Sequence, residues 1–168
     1  MLGDYMFDIT DTNKESHLKK VTIKNTNSFG AIAAEFPFND CYSLETVVLP
    51  EGTISIGEKV FLTTDTSSEK SDLANINIPN TCKSIGYKAF YNSPNLRKLF
   101  IPKSMTYIGK QAFERSDLSE LEVESGINCK LDNFAFKSSK INNESVNTFC
   151  LPQLIFDKDS NNNLIVTE

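Results

Sequence analysis

IPNTCKSIGYKAFYNSPNL at residues 78–96 is followed by IPKSMTYIGKQAFERSDL at 101–118, and the second string restates the first 23 residues on. Ile78-Pro79, Ile85-Gly86 and Ala89-Phe90 become Ile101-Pro102, Ile108-Gly109 and Ala112-Phe113. Upstream the same frame holds Leu49-Pro50, Ile56-Gly57 and Val60-Phe61. Downstream it decays to Val123, Leu131-Asp132 and Ala135-Phe136. Phe7, Phe38, Phe61, Phe90, Phe113 and Phe136 lie on one lattice with gaps of 31, 23, 29, 23 and 23 residues. The unit is 23, and two gaps carry insertions. Self-similarity at such a period marks a stacked solenoid in which each copy is one coil.

Within each copy the segment ending in Ile-Pro predicts a short strand. Alternation turns Val47 and Leu49, Ile76 and Ile78, and Leu99 and Ile101 inward. The proline lacks an N–H and ends the ladder. Successive copies then lie side by side as a parallel sheet, about 4.8 Å apart. The clean gaps are too short for an ordinary crossover helix, so a solenoid is expected and a βαβ fold is not. Ile-Gly reads as a tight turn with glycine at positive φ, a region that Asp132 tolerates in the last copy. The Ala-Phe pair reads as core, each ring contributing roughly 1.5–3 kcal/mol on burial. The two insertions, Asp8–His17 and Leu62–Asp72, emerge at the same corner of the coil. Asn25–Pro37 fits the frame poorly.

The expected fold is one solenoid domain over 1–168, with about five coils of 23 residues. It is a right-handed coil with a parallel sheet of short strands on one face, mostly β and loop with few helices. Clear repeats occupy 38–141, 1–37 are irregular partial coils, and 142–168 end in terminal strands or a cap. The first residues, Leu2-Gly3 and Met6-Phe7, match the second half of a coil, so a fragment of a longer chain is expected.

The apolar fraction is 39%, the charged fraction 23% and the formal net charge −5. That balance, with no local Lys/Arg cluster, argues against nucleic acid as a partner. No apolar run suits a membrane span, and MLGDYMFDIT lacks the regions of a signal peptide. Cys41, Cys82, Cys129 and Cys150 form no C-x-x-C pair, and no histidine stands at metal-ligand spacing, so neither a metal site nor another cofactor is expected. They read as buried packing thiols, with a disulfide left open.

The recurring string IPxxxxxIGxxAFxxxxxL resembles the BspA-like, or Treponema-type, leucine-rich repeat, and does so well over residues 38–141. Glu124 and Lys24 in place of proline, and Asp132 in place of glycine, depart from it towards the ends. The resemblance implies a large cell-surface or secreted protein of bacteria or some protists. It also implies adhesion to a protein or glycan, including host extracellular matrix. A structural spacer within a larger surface protein is the alternative. An enzyme is not expected, because no phosphate loop or nucleophile elbow is present and His17 has no assignable partner.

The residues alternating with the buried ones predict the exposed stripe: Lys20, Thr22, Thr46, Val48, Asn75, Asn77, Lys98, Phe100, Glu120 and Glu122. Val48 and Phe100 are apolar where polar residues are expected, which makes them candidate contacts, although scattered apolar residues are ordinary on any surface. In the tail, Asp157, Asp159, Asn161 and Glu168 match positions 1, 3, 5 and 12 of a calcium loop. Ile165 cannot serve at position 9 and the flanks read as strands, so a polar hairpin is the preferred reading there.

Overall fold

The computed structural model describes residues 18–23, 37–64 and 70–139, together with the backbone of two strands nearer the C-terminus. Expectations for Phe7, the Asp8–His17 insertion, Cys150 and most of Asn25–Pro37 lie outside these residues. In chain order the strands are β1 Lys20–Thr22, β2 Thr46–Val48, β3 Ser55–Ile56, β4 Asn75–Ile76, β5 Ser84–Ile85, β6 Lys98–Ile101, β7 Tyr107–Ile108, β8 Glu120–Val123 and β9 Lys130–Leu131. There is no helix among the described residues. From β2 onward each coil contributes one strand of two to four residues before its proline position and one of two residues after it.

The first ladder is parallel and in the expected register. Lys20 pairs with Thr46 and Thr46 with Asn75, while Lys98 pairs with Glu120 and Phe100 with Glu122. Period-2 alternation decides the faces. Leu99 and Ile101 in β6 are buried while Lys98 and Phe100 between them are exposed. The ladder is divided into β1-β2-β4 and β6-β8. Side-chain amides tie the coils together on either side of β4. Asn77 accepts from the Leu49 N–H at 2.8 Å and donates to the Leu49 carbonyl at 3.0 Å, so β4 stops at Ile76. One coil further on, Asn95 donates to the Ser71 carbonyl at 3.1 Å and to Asp72 at 3.3 Å.

The Ile-Gly segment departs from expectation. Its isoleucine lies in a second parallel ladder, β3-β5-β7-β9, with Ile56, Ile85, Ile108 and Leu131 in register and buried. The glycine is not a positive-φ turn. Gly86 and Gly109 have ordinary φ, and the left-handed residues come two positions later, at Lys59, Lys88, Gln111 and Phe134. Asp40, Asn92, Arg115 and Ser138, each two residues beyond a phenylalanine, are left-handed as well. Glycine is required by proximity instead. A Cβ on Gly86 would lie 2.7 Å from the Glu58 nitrogen and the Gly57 carbonyl carbon, and one on Gly109 would lie 2.8 Å from the Gly86 carbonyl carbon. Asp132, next in this column, likewise keeps an ordinary φ, and its carboxylate accepts from the Asn133 N–H at 2.8 Å and the Tyr107 hydroxyl at 3.1 Å. These two donors hold the carboxyl below the usual range, the Asn133 N–H having the larger effect.

The phenylalanines stack as expected. Phe38, Phe61, Phe90, Phe113 and Phe136 form a continuous column with ring centroids 5.0–5.3 Å apart and neighbouring planes within 15° of parallel. Backbone bonds run from coil to coil beside the rings: Phe61 N–H to the Ala89 carbonyl, Phe90 to Ala112, Phe113 to Ala135. In the last two coils a hydroxyl three residues beyond the ring ties the coil to the one before, Ser116 to the Phe90 carbonyl at 3.1 Å and Ser139 to the Phe113 carbonyl at 2.8 Å. The second insertion is pinned at both roots. Thr64 donates its N–H and hydroxyl to Asp40, and the Asp72 N–H donates to the Tyr42 carbonyl.

Near the C-terminus, β10 Ile155–Lys158 and β11 Leu164–Thr167 pair antiparallel, with Lys158 opposite Leu164. Asp157 is opposite Ile165. Positions 1 and 9 of the calcium alternative (Asp157, Asp159, Asn161, Glu168) thus face each other across paired strands. The flanks of this segment are thus paired strands and not helices. Asp159, Asn161 and Glu168 themselves lie outside the described residues.

Candidate binding surface

The first ladder sets out two exposed columns. One carries Lys20, Thr46, Asn75, Lys98 and Glu120. The other carries Thr22, Val48, Asn77, Phe100 and Glu122. All are exposed except Thr46, which is half-buried. Val48 is 36% and Phe100 38% exposed, although both belong to strands whose alternate residues are buried. They are two coils apart, with the Asn77 coil between, so they form two apolar points and not one patch. Asn77 has its amide committed to Leu49. Lys98 and Glu120 approach to 4.0 Å with 73% and 68% of their side chains exposed, a contact of small energetic value. Lys19, just before β1, is held protonated chiefly by its 2.8 Å bond to Glu45. The stripe therefore runs from lysine at β1 to glutamate at β8.

A second surface was not visible in the sequence. At the corner that follows the second ladder, the Lys59 ammonium stands 5.6 Å from the Tyr87 ring centre. Lys88 stands 5.5 Å from Tyr87 and 4.5 Å from Tyr91, and the Arg115 guanidinium stands 5.8 Å from Tyr91. Lys137 lies 5.1 Å from Phe134, which is 44% exposed, and 3.8 Å from the buried Glu114. These residues are scattered at intervals of about one repeat along the chain, so no local cluster announces them. The only signal available was position: each stands just before or just after a lattice phenylalanine.

Cys41, Cys82 and Cys129 are buried thiols, none of them in a disulfide. Burial pushes the Cys82 thiol up to about 11 and the Cys129 thiol up to about 12. Both stay protonated at neutral pH, which suits packing and not nucleophilic chemistry. Among the described residues no group of His, Cys, Asp and Glu has the arrangement of a metal site, and no helix is long and apolar enough to cross a membrane.

Comparison with known proteins agrees with the coil geometry. The BspA type leucine rich repeat region matches in six copies over residues 32–161. A leucine-rich repeat protein from Bacteroides ovatus is similar in structure, with a TM-score of 0.53 and 25% identity over 68% of this chain and 30% of its own. A leucine rich cell surface protein from Faecalibacterium prausnitzii gives a TM-score of 0.51 and 21% identity over 91% of this chain and 40% of its own. The chain thus spans less than half the length of either solved protein. A search of curated proteins finds no match. With the repeat matched over most of its length, this chain belongs to the BspA-type leucine-rich repeat family.

Proposed function

We propose that the chain is a non-enzymatic binding module of a cell-surface or secreted protein, contacting a protein or glycan through the first-ladder face and the inserted loops. The observation that carries this reading is the exposure of Val48 and Phe100 on strands whose other apolar residues are buried. Exposed apolar groups on a sheet face are candidate contacts. The surface or secreted location and the adhesive role come from the family resemblance.

The test is binding of the purified chain to a panel of extracellular matrix and plasma proteins, alongside a Val48→Asp/Phe100→Asp variant whose fold is checked by circular dichroism. Saturable binding weakened at least tenfold in the folded variant is the expected result. The spacer reading is favoured by the separation of the two apolar residues and by the engaged amide of Asn77 between them. It predicts no binding, or binding that the variant retains.

A further inference from the structure

We propose that the first-ladder face pairs with the same face of a second copy of this chain, the two solenoids running in opposite directions about a two-fold axis through the Asn75–Asn77 coil. The inference rests on the reading of this face as a binding surface and names its partner. Five aligned segments make up the face: 19–22, 45–48, 74–77, 97–100 and 119–122. Their charges change sign from coil to coil. The first holds Lys19 and Lys20, the second Glu45, the third none, the fourth Arg97 and Lys98, and the fifth Glu120 and Glu122. Reversing the stack about the third coil lays the first segment on the fifth and the second on the fourth. Every charged segment then meets one of opposite sign, and the segment that must meet itself is neutral. A two-fold contact demands this self-complementarity of a single patch.

The exposed apolar residues obey the same symmetry. Val48 stands one coil before Asn77 and Phe100 one coil after it, in one exposed column. Reversal lays Val48 of each copy on Phe100 of the other, so both gain an apolar partner. The other face-to-face arrangement, with the axis along the stack, lays each coil on its own counterpart. It sets Glu120 against Glu122 and Phe100 against Lys98, so charge selects the reversed pair. Lys20, Arg97 and Glu122 take part in no ion pair among the described residues, while Lys19 is bound to Glu45 and Lys98 lies 4.0 Å from Glu120. Exposed pairs of that kind are worth little and re-form across an interface at small cost. The face is narrow. Five coils at about 4.8 Å spacing give a strip roughly 20 Å long, and four strand residues make it roughly 13 Å wide. A stable dimer buries about 800 Å² per partner, so this contact is weak in solution and strengthens where many copies stand opposite one another.

The experiment is sedimentation velocity on the full 168-residue chain, from about 10 μM to about 1 mM and at two salt concentrations, with the fold of each variant checked by circular dichroism. Reversible dimers that weaken with salt are expected. Lys20→Glu sets carboxylate against carboxylate at both ends of the contact, and Glu120→Lys sets ammonium against ammonium. Each variant alone should dimerise at least about tenfold more weakly than the parent. Mixed together they restore attraction at both ends, so a heterodimer within about threefold of the parent affinity is expected. In Asn75→Cys the new thiol lies beside the axis and should cross-link two copies under mild oxidation, whereas Lys20→Cys, far from its counterpart, should not. A parent monomeric at every concentration, a mixture no tighter than its separate components, or equal cross-linking through positions 20 and 75 overturns the proposal. Dimers retained by Val48→Asp/Phe100→Asp overturn it as well. A monomeric parent that still binds a matrix protein through Val48 and Phe100 overturns only the second copy as partner and leaves the first-ladder reading standing.

Discussion

Gly86 and Gly109 hold the coils at the distance their backbones allow. A methyl group on Gly86 would meet Glu58 and Gly57 backbone atoms at 2.7 Å, and backbone cannot turn aside as the end of a long side chain can. Gly86→Ala is therefore expected to lower stability by about 1–3 kcal/mol in urea unfolding, the usual cost of overpacking. An unchanged midpoint would show that neighbouring coils separate freely at this point. The glycine lattice was legible in the sequence, but its reason was not. Positive φ and close approach both ask for a missing Cβ, and only coordinates tell them apart. The left-handed positions went unread for the converse reason: lysine, glutamine, phenylalanine and arginine there carry no mark of φ values between 51° and 63°.

At the level of the strand, Asn77 closes the rung that β4 leaves open. Leu49 is buried, so removing the amide leaves its N–H and carbonyl without partners in a place where water is scarce. Asn77→Ala is expected to cost about 1–3 kcal/mol. Asn77→Asp, which keeps the acceptor and loses the donor, should fall between the variant and the parent, as read by thermal unfolding. A loss no greater than that of Asn75→Ala, at an exposed position one column away, would argue against the bridge. The first ladder was readable because four-residue segments such as 98–101 and 120–123 show their alternation. The second was not, because two-residue strands such as Ser84–Ile85 are too short to display a period. In the tail the sequence offers two readings, oxygen-bearing residues at the spacing of a calcium loop and flanks that alternate as strands, and the flanks are paired strands.

Across the whole molecule, each coil touches only its neighbours, and the phenylalanine column is the thread common to all. Phe90 is the third of five stacked rings and is fully buried. Truncation there removes two ring contacts and leaves a cavity, so Phe90→Ala should cost about 3–5 kcal/mol. Because stability in such arrays is a sum of coil and nearest-neighbour terms, the loss should also uncouple the two halves. A shallower urea transition, or two transitions, is expected by circular dichroism and tyrosine fluorescence; a single transition of unchanged slope would show that the backbone ladders alone carry the coupling. The cation–ring corner belongs to this scale too. Lys59 and Tyr87, 28 positions apart, and Tyr91 and Arg115, 24 apart, are neighbours only once the coils are stacked.

The direction of the hydrogen bonds has a mechanical consequence. In both ladders they run along the stack, from one coil to the next, and the glycine column leaves no slack for compression. Tension applied at the two ends therefore loads the outermost coil first, opening its rungs a few at a time instead of shearing them all together. Each coil that peels away releases about 80 Å of extended chain, from 23 residues at 3.3–3.6 Å each. A tether made this way yields in steps under load, keeps its remaining coils intact, and rewinds one coil at a time when the force is withdrawn.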